Sequence, residues 1–168
     1  MKTSGLSSSN RKSELYCPIR KQTVAATPEE EVRQSLIQQM SCELNYPTSL
    51  LSVEKTLGDL PHIQSQNLPK RRADIICFGK SIHSQYDLYP LLLIECKAVA
   101  LTPKVINQVT GYNRFIGAYF VAVANQQEVR IGWLDPENKS YKFIQGLPNY
   151  ADLHAAAKAS FQVIAHSI

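Results

Sequence analysis

Apolar and polar positions alternate along the chain in a way that predicts alternating helices and strands. Thr27-Pro28-Glu29-Glu30 reads as a helix start. Thr27 is a good N-cap, Pro28 suits the first helical position, and Glu30 completes a T-x-x-E capping box. Val32, Leu36, Met40 and Leu44 then recur at i+4 with Ile37 beside them, which makes one apolar helical face. Asn45-Tyr46-Pro47 ends it. Residues 50–57 predict a strand with Leu51, Val53 and Leu57 on one face, and residues 58–70, with Gly58, Pro61, Asn67 and Pro69, predict a loop. A second strand follows over 72–78, then a polar connection over 79–90. The third strand, 91–97, is apolar on both faces until Glu95, so it belongs in the middle of a sheet.

Thr102-Pro103 starts a second helix whose stripe is Val105, Ile106, Val109, Tyr112 and Ile116. Residues 118–125 read as a buried strand, and 129–134 and 140–144 as two shorter, more exposed ones. Residues 151–165 form an Ala-rich helix with Leu153, Ala157, Phe161 and Ile164 inward. The order α-β-β-β-α-β-β-β-α predicts one α/β domain with a mixed sheet flanked by helices.

Composition narrows the class. The chain has 168 residues, of which 44% are hydrophobic and 19% charged. That is enough for one self-sufficient core. No apolar run reaches the roughly 18 residues of a membrane span, and the polar, Ser-rich start holds no signal core. The cysteines, Cys17, Cys42, Cys77 and Cys96, show no C-x-x-C spacing. Cys77 and Cys96 lie in apolar runs as buried thiols, which suits a reducing cytoplasm. The net charge of +4 resides in residues 1–22, read as a flexible basic arm, and residues 23–168 balance to zero as a single domain. Any nucleic-acid contact must therefore come from a local patch.

Three residues carry the chemistry. Asp74 stands near the start of the second strand, with Glu95 and Lys97 at the end of the third. Residues 95 and 97 share a strand face while Cys96 points away. Antiparallel pairing of these strands puts Asp74 beside Glu95. Two carboxylates there make a hard oxygen site for Mg²⁺ or Mn²⁺, with the Cys96 backbone carbonyl as a further ligand. Lys97 would orient a water or neutralise phosphoryl charge. The alternative is plain ion pairing with Arg72 and Lys97 at the sheet ends. Charge directly after a buried strand favours the site, because such charge is costly to bury unless paired or metal-bound.

Gln108 and Tyr112 form Q-x-x-x-Y on one face of the next helix. The order D-x₂₀-E-C-K then Q-x-x-x-Y resembles the PD-(D/E)XK nucleases, in the RecB-like branch. Further stretches narrow the resemblance: Pro18-Ile19-Arg20-Lys21, Thr27-Pro28-Glu29-Glu30-x-Val32-Arg33-Gln34, Tyr46-Pro47-x-Ser49-Leu50, Val53-Glu54-Lys55, Arg72-x-Asp74-Ile75 and Leu92 through Ala98. Over roughly 16–150 these resemble small stand-alone proteins similar to the N-terminal nuclease domain of type I restriction-enzyme R subunits. The resemblance implies a restriction-endonuclease-like fold and a Mg²⁺-dependent deoxyribonuclease. Asp74 and Glu95 would be its metal ligands, Lys97 its catalytic lysine, and Gln108 and Tyr112 its substrate-side supports. Glu30, with Glu31 in reserve, would be the helix carboxylate near the metal; helix capping alone also explains it. The implied partners are DNA, a second copy of the chain and separate restriction or repair subunits.

Lys70-Arg71-Arg72 directly precedes Asp74 and could hold phosphates there, with Arg33 extending the patch. The other reading of this run is a solvated loop. Gly79-Lys80-Ser81 lacks the remainder of a phosphate-cradling loop, and the four histidines have no zinc spacing. A second function class stays open, a nucleic-acid or protein binding module that keeps the nuclease fold without cutting.

Overall fold

The computed structural model describes residues 13–64 and 68–165, with side chains to residue 160. A hairpin of β1 (Glu14–Cys17) and β2 (Gln22–Ala25) precedes α1 (Pro28–Cys42). Then come β3 (Leu51–Thr56), β4 (Arg72–Lys80), β5 (Leu88–Cys96), α2 (Pro103–Ile116), β6 (Phe120–Ala124), β7 (Val129–Asp135), β8 (Ser140–Gln145) and α3 (Tyr150–Ala165). From α1 onward the order is the one the periodicities predict.

Strands β3 to β8 form a six-stranded sheet in sequence order. β5 and β6 pair parallel, and the other neighbours pair antiparallel. The parallel pair requires a crossover, which α2 supplies. Its Val105, Val109, Tyr112 and Ile116 pack with Ile76, Leu93, Val121 and Val123 on one face of the sheet. Val32, Leu36, Ile37 and Met40 of α1, with Leu153 and Ala157 of α3, cover Ile75, Leu92, Ile94 and Ala122 on the other. β4 and β5 are covered on both sides, which is why their sequences read as apolar runs. Gly117, in the left-handed region at φ 72, closes α2, and its N–H reaches Asn113 O at 2.7 Å. None of the helices among the described residues is long and apolar enough to cross a membrane. The four cysteines are free, with Cys17, Cys77 and Cys96 buried.

Two boundaries differ from the sequence reading. The arm expected over 1–22 is structured from residue 14, while residues 1–12 lie outside the described residues. The hairpin is held because Cys17 is fully buried, Ile19 packs against the core and Arg20 pairs with Glu30. The polar connection over 79–90 shrinks, since Gly79 and Lys80 pair with Tyr89 and Leu88. Hairpin hydrogen bonds extend β4 and β5 beyond the apolar runs, because solvent tolerates polar side chains there. The side chains of Phe161 and Ile164, and the expected loop residue Asn67, lie outside the described residues.

Candidate active site

The β4–β5 ladder ends at Ile75–Ile94. One step further along each strand stand Asp74 and Glu95, so the antiparallel arrangement brings them to the same end of the sheet. The Cys96 N–H leaves the ladder and donates to Asp74 Oδ2 at 2.7 Å. This bond holds the Asp74 carboxylate where the two strands part. The Cys96 side chain points the other way into the α1-side core. Burial first, and then the charge of Asp74, push its thiol pKa upward.

Glu95 is 4% exposed. Its Oε1 accepts from the Arg71 guanidinium and forms an ion pair with Lys97 Nζ at 2.8 Å. Lys97 follows β5 directly, and its N–H bonds Ala124 O at 2.8 Å, which fixes the backbone beneath its side chain. Glu95 is thus paired with Lys97, as the ion-pair alternative has it, and with Arg71 in place of Arg72. Arg72 is exposed and comes no closer than 3.8 Å to Glu54.

On α1, Thr27 Oγ1 accepts from the Glu30 N–H at 3.2 Å, so Thr27 caps the helix. The box is not reciprocal. The Thr27 N–H goes to Ala25 O, and the Glu30 carboxylate turns inward to Arg20, Arg33 and Gln34. Burial would raise its pKa, but the bonds from Gln34 and Arg20 and the charges of Arg33 and Arg20 outweigh it and hold the carboxyl below its ordinary value. Glu31 faces solvent, whereas the Glu30 carboxylate shares Arg33 with Asp74.

The depressed pKa sets a pH dependence. The unfolded chain takes up this proton more readily, so the ionised Glu30 stabilises the fold above pH 4.5 and less as pH falls through its folded pKa. Glu30→Gln is therefore expected to be less stable than wild type at pH 7, and the gap should narrow in acid. Thermal unfolding across a pH series checks this; a constant gap from pH 7 to about pH 3 would overturn it.

Arg33, expected to face nucleic acid, is 5% exposed and lies inside the site. Its Nη1 pairs with Glu30, and its Nη2 reaches Glu54 Oε1 at 2.6 Å and Asp74 Oδ1 at 2.7 Å. A buried charge with three carboxylate partners has no spare face for phosphate. Burial alone would lower its pKa, but Asp74, Glu54 and Glu30 keep the guanidinium firmly charged. Of the expected basic patch, Lys70 and Arg72 are exposed while Arg71 is drawn inward.

The Q-x-x-x-Y pair meets at Arg71. The Gln108 amide, with its oxygen toward the guanidinium, accepts from Nη1 at 2.8 Å and Nη2 at 2.9 Å. The guanidinium carbon stands 5.0 Å from the Tyr112 ring centroid. The Tyr112 hydroxyl donates to Arg71 O at 2.8 Å. Burial pushes the Tyr112 pKa up to about 12, so the hydroxyl keeps its proton and remains a donor.

Two members of the site escape sequence reasoning. Glu54 stands between residues paired with Ile75 and Ala73, opposite Asp74, and has a left-handed backbone at φ 55. That conformation is strained for a non-glycine residue and is typical of functional sites. Its sequence signals are a charge following Val53 in an otherwise half-apolar strand and its place in the Val53-Glu54-Lys55 stretch of the family resemblance, neither of which names its partners. Arg20 sits in a segment read as flexible. The short apolar alternation on both sides of Pro18-Ile19-Arg20-Lys21 is the signal for its hairpin.

Among the described residues, no group of three or more His, Cys, Asp or Glu side chains is arranged to hold a metal ion. The residues that could share one are Asp74 and Glu95. Two carboxylates completed by a carbonyl, waters and phosphate oxygens fit Mg²⁺, which needs no all-protein cage. They do not fit a structural zinc site.

A mixed sheet flanked by helices, with an Asp, a Glu and a Lys gathered where its central strands part, defines a restriction-endonuclease-like domain. Residues 28–148 match the family described as Type I restriction enzyme R protein N terminus (HSDR_N). The chain belongs to that family. No curated protein and no solved structure matches it.

Proposed function

We propose that this domain is a nuclease that hydrolyses phosphodiester bonds in DNA with the help of a divalent cation. The single observation behind this reading is the convergence of Asp74, Glu95 and Lys97 where β4 and β5 part, with Lys97 Nζ 2.8 Å from Glu95. Asp74 and Glu95, with the Cys96 carbonyl, would hold Mg²⁺ or Mn²⁺, which when bound supplies Lewis acidity and a more acidic water. Lys97 offers a positive charge on the same strand face, placed to orient a water and to neutralise charge developing on the phosphate. The exposed Lys70 and Arg72 give the DNA backbone its first contacts. Arg33 and Glu30 hold the carboxylates in position without touching substrate.

The test is a time course of supercoiled and linear DNA with Mg²⁺, with Mn²⁺ and with chelator. Cation-dependent cleavage is the expected result. Absence of cleavage across both cations and several DNA forms would overturn it. One observation favours a second reading in that event, a binding module that does not cut. Among the described residues the carboxylates Glu30, Glu54, Asp74 and Glu95 are already neutralised by Arg20, Arg33, Arg71 and Lys97. DNA binding without cleavage would establish that module.

A further inference from the structure

Arg71 is held in more ways than a phosphate-seeking loop residue needs. Its guanidinium bonds Glu95 Oε1, lies over the Tyr112 ring and, with the Gln108 amide oxygen turned toward it, gives that oxygen two hydrogen bonds. Its carbonyl accepts from the Tyr112 hydroxyl. The aromatic face and the amide oxygen both select a flat cation. Yet the side chain is still 29% exposed, so the seat opens to solvent. Arg71 also shares its acceptor atom, because Lys97 pairs with the same Glu95 oxygen.

Resting on the nuclease reading above, we propose that Arg71 is a tethered counter-cation. It occupies Glu95 until a divalent cation arrives, then transfers to a substrate phosphate. The Q-x-x-x-Y pair acts through it: Gln108 and Tyr112 are positioning residues for Arg71 and need no contact with DNA of their own.

The charge balance requires such an exchange. The four site carboxylates meet four cations before the exposed Arg72 is counted. A neutral site exerts little pull on a divalent ion. An added ion at Glu95 would also face a guanidinium and an ammonium on one oxygen, and like charges at that spacing repel. Release of Arg71 relieves this and leaves the Lys97 ammonium at Glu95, while Arg33 is enclosed by three carboxylates. The Tyr112 hydroxyl grips the Arg71 backbone rather than its head group, so the guanidinium can swing while the strand start stays in place. A phosphodiester carries the negative charge that the displaced guanidinium needs. Metal and phosphate therefore enter together, and metal alone binds weakly.

Mn²⁺ binding to the full chain without DNA, followed by electron paramagnetic resonance, tests the exchange. Competition at one carboxylate is reciprocal, so Arg71→Gln should bind Mn²⁺ about tenfold more tightly than wild type. Arg71→Lys, which keeps the charge and loses the fork, should fall between them. Gln108→Leu loosens the seat and should tighten Mn²⁺ binding by a smaller factor, with no further effect in the Arg71→Gln background. With Ca²⁺ in place of Mn²⁺, DNA binding by Arg71→Gln should weaken and its salt dependence should drop by about one phosphate contact. Thermal unfolding of each variant controls for the fold. Mn²⁺ bound equally by wild type and Arg71→Gln, or Gln108→Leu acting independently of Arg71, would overturn the exchange and leave the nuclease reading standing. Mn²⁺ bound by neither protein would also overturn the exchange, and the nuclease reading then rests on the cleavage time course alone.

Discussion

Arg33→Met is expected to destabilise the fold by about 3–5 kcal/mol, the range seen when one partner of a buried ion pair is removed. Methionine keeps the length of the stem and removes the charge. The Glu30, Glu54 and Asp74 carboxylates then face one another without their shared cation. Glu30 retains Arg20 and Gln34, and Asp74 retains the Cys96 N–H, so the site is weakened rather than emptied. A loss of that size is a large part of the roughly 5–15 kcal/mol that holds an ordinary domain together. The deficit should also depend on pH. Carboxylates without a counter-charge take up protons more easily, so the gap to wild type should narrow as pH falls. Denaturant unfolding at pH 7 and in mild acid measures both effects. A loss below about 1 kcal/mol at pH 7, the value of an exposed pair, would show that Arg33 does not organise the site.

Cleavage by Lys97→Ala is expected to fall by a factor of about 10²–10³, the usual cost of removing one preorganised group that meets developing charge. Stability should change by no more than about 1 kcal/mol, because Lys97 is partly exposed and Glu95 keeps Arg71 as its partner. The pairing of a large kinetic effect with a small thermodynamic one separates a catalytic lysine from a structural one. DNA binding should weaken only slightly, since one phosphate contact among several is lost. Cleavage time courses with Mg²⁺, run beside thermal unfolding, decide it. Equal rates for wild type and variant would remove Lys97 from the mechanism.

Both variants lie where two kinds of information meet. The order of helices and strands was legible from the chain because each element buries one stripe or face, and burial leaves a period of 3.6 or 2 in the residues themselves. The positions of Asp74, Glu95 and Lys97 were legible for a related reason. Charge directly beyond a buried run is unusual, and antiparallel neighbours put the end of one strand against the start of the next. Gln108 and Tyr112 could be placed on one helix face by their spacing alone.

The partners of these residues could not be read in that way. Arg33 looked like a surface cation because its period on α1 does not reveal that three carboxylates enclose it. Glu30 read equally as a site carboxylate and as a capping residue, because the T-x-x-E pattern is satisfied whether or not the carboxylate turns back to the helix. Glu54 stood only within a family stretch and its role was not legible, since a left-handed residue within a strand follows from its surroundings and not from its own preference. Arg20 was hidden in a basic segment whose hairpin depends on the burial of Cys17. Arg71 was indistinguishable from Lys70 and Arg72 beside it. Periodic burial is local and repeats along the chain, so a sequence carries it openly. A buried charge is stable only with partners from distant segments, and which partners those are was decided when α1, α2 and the hairpin closed over the same end of the sheet.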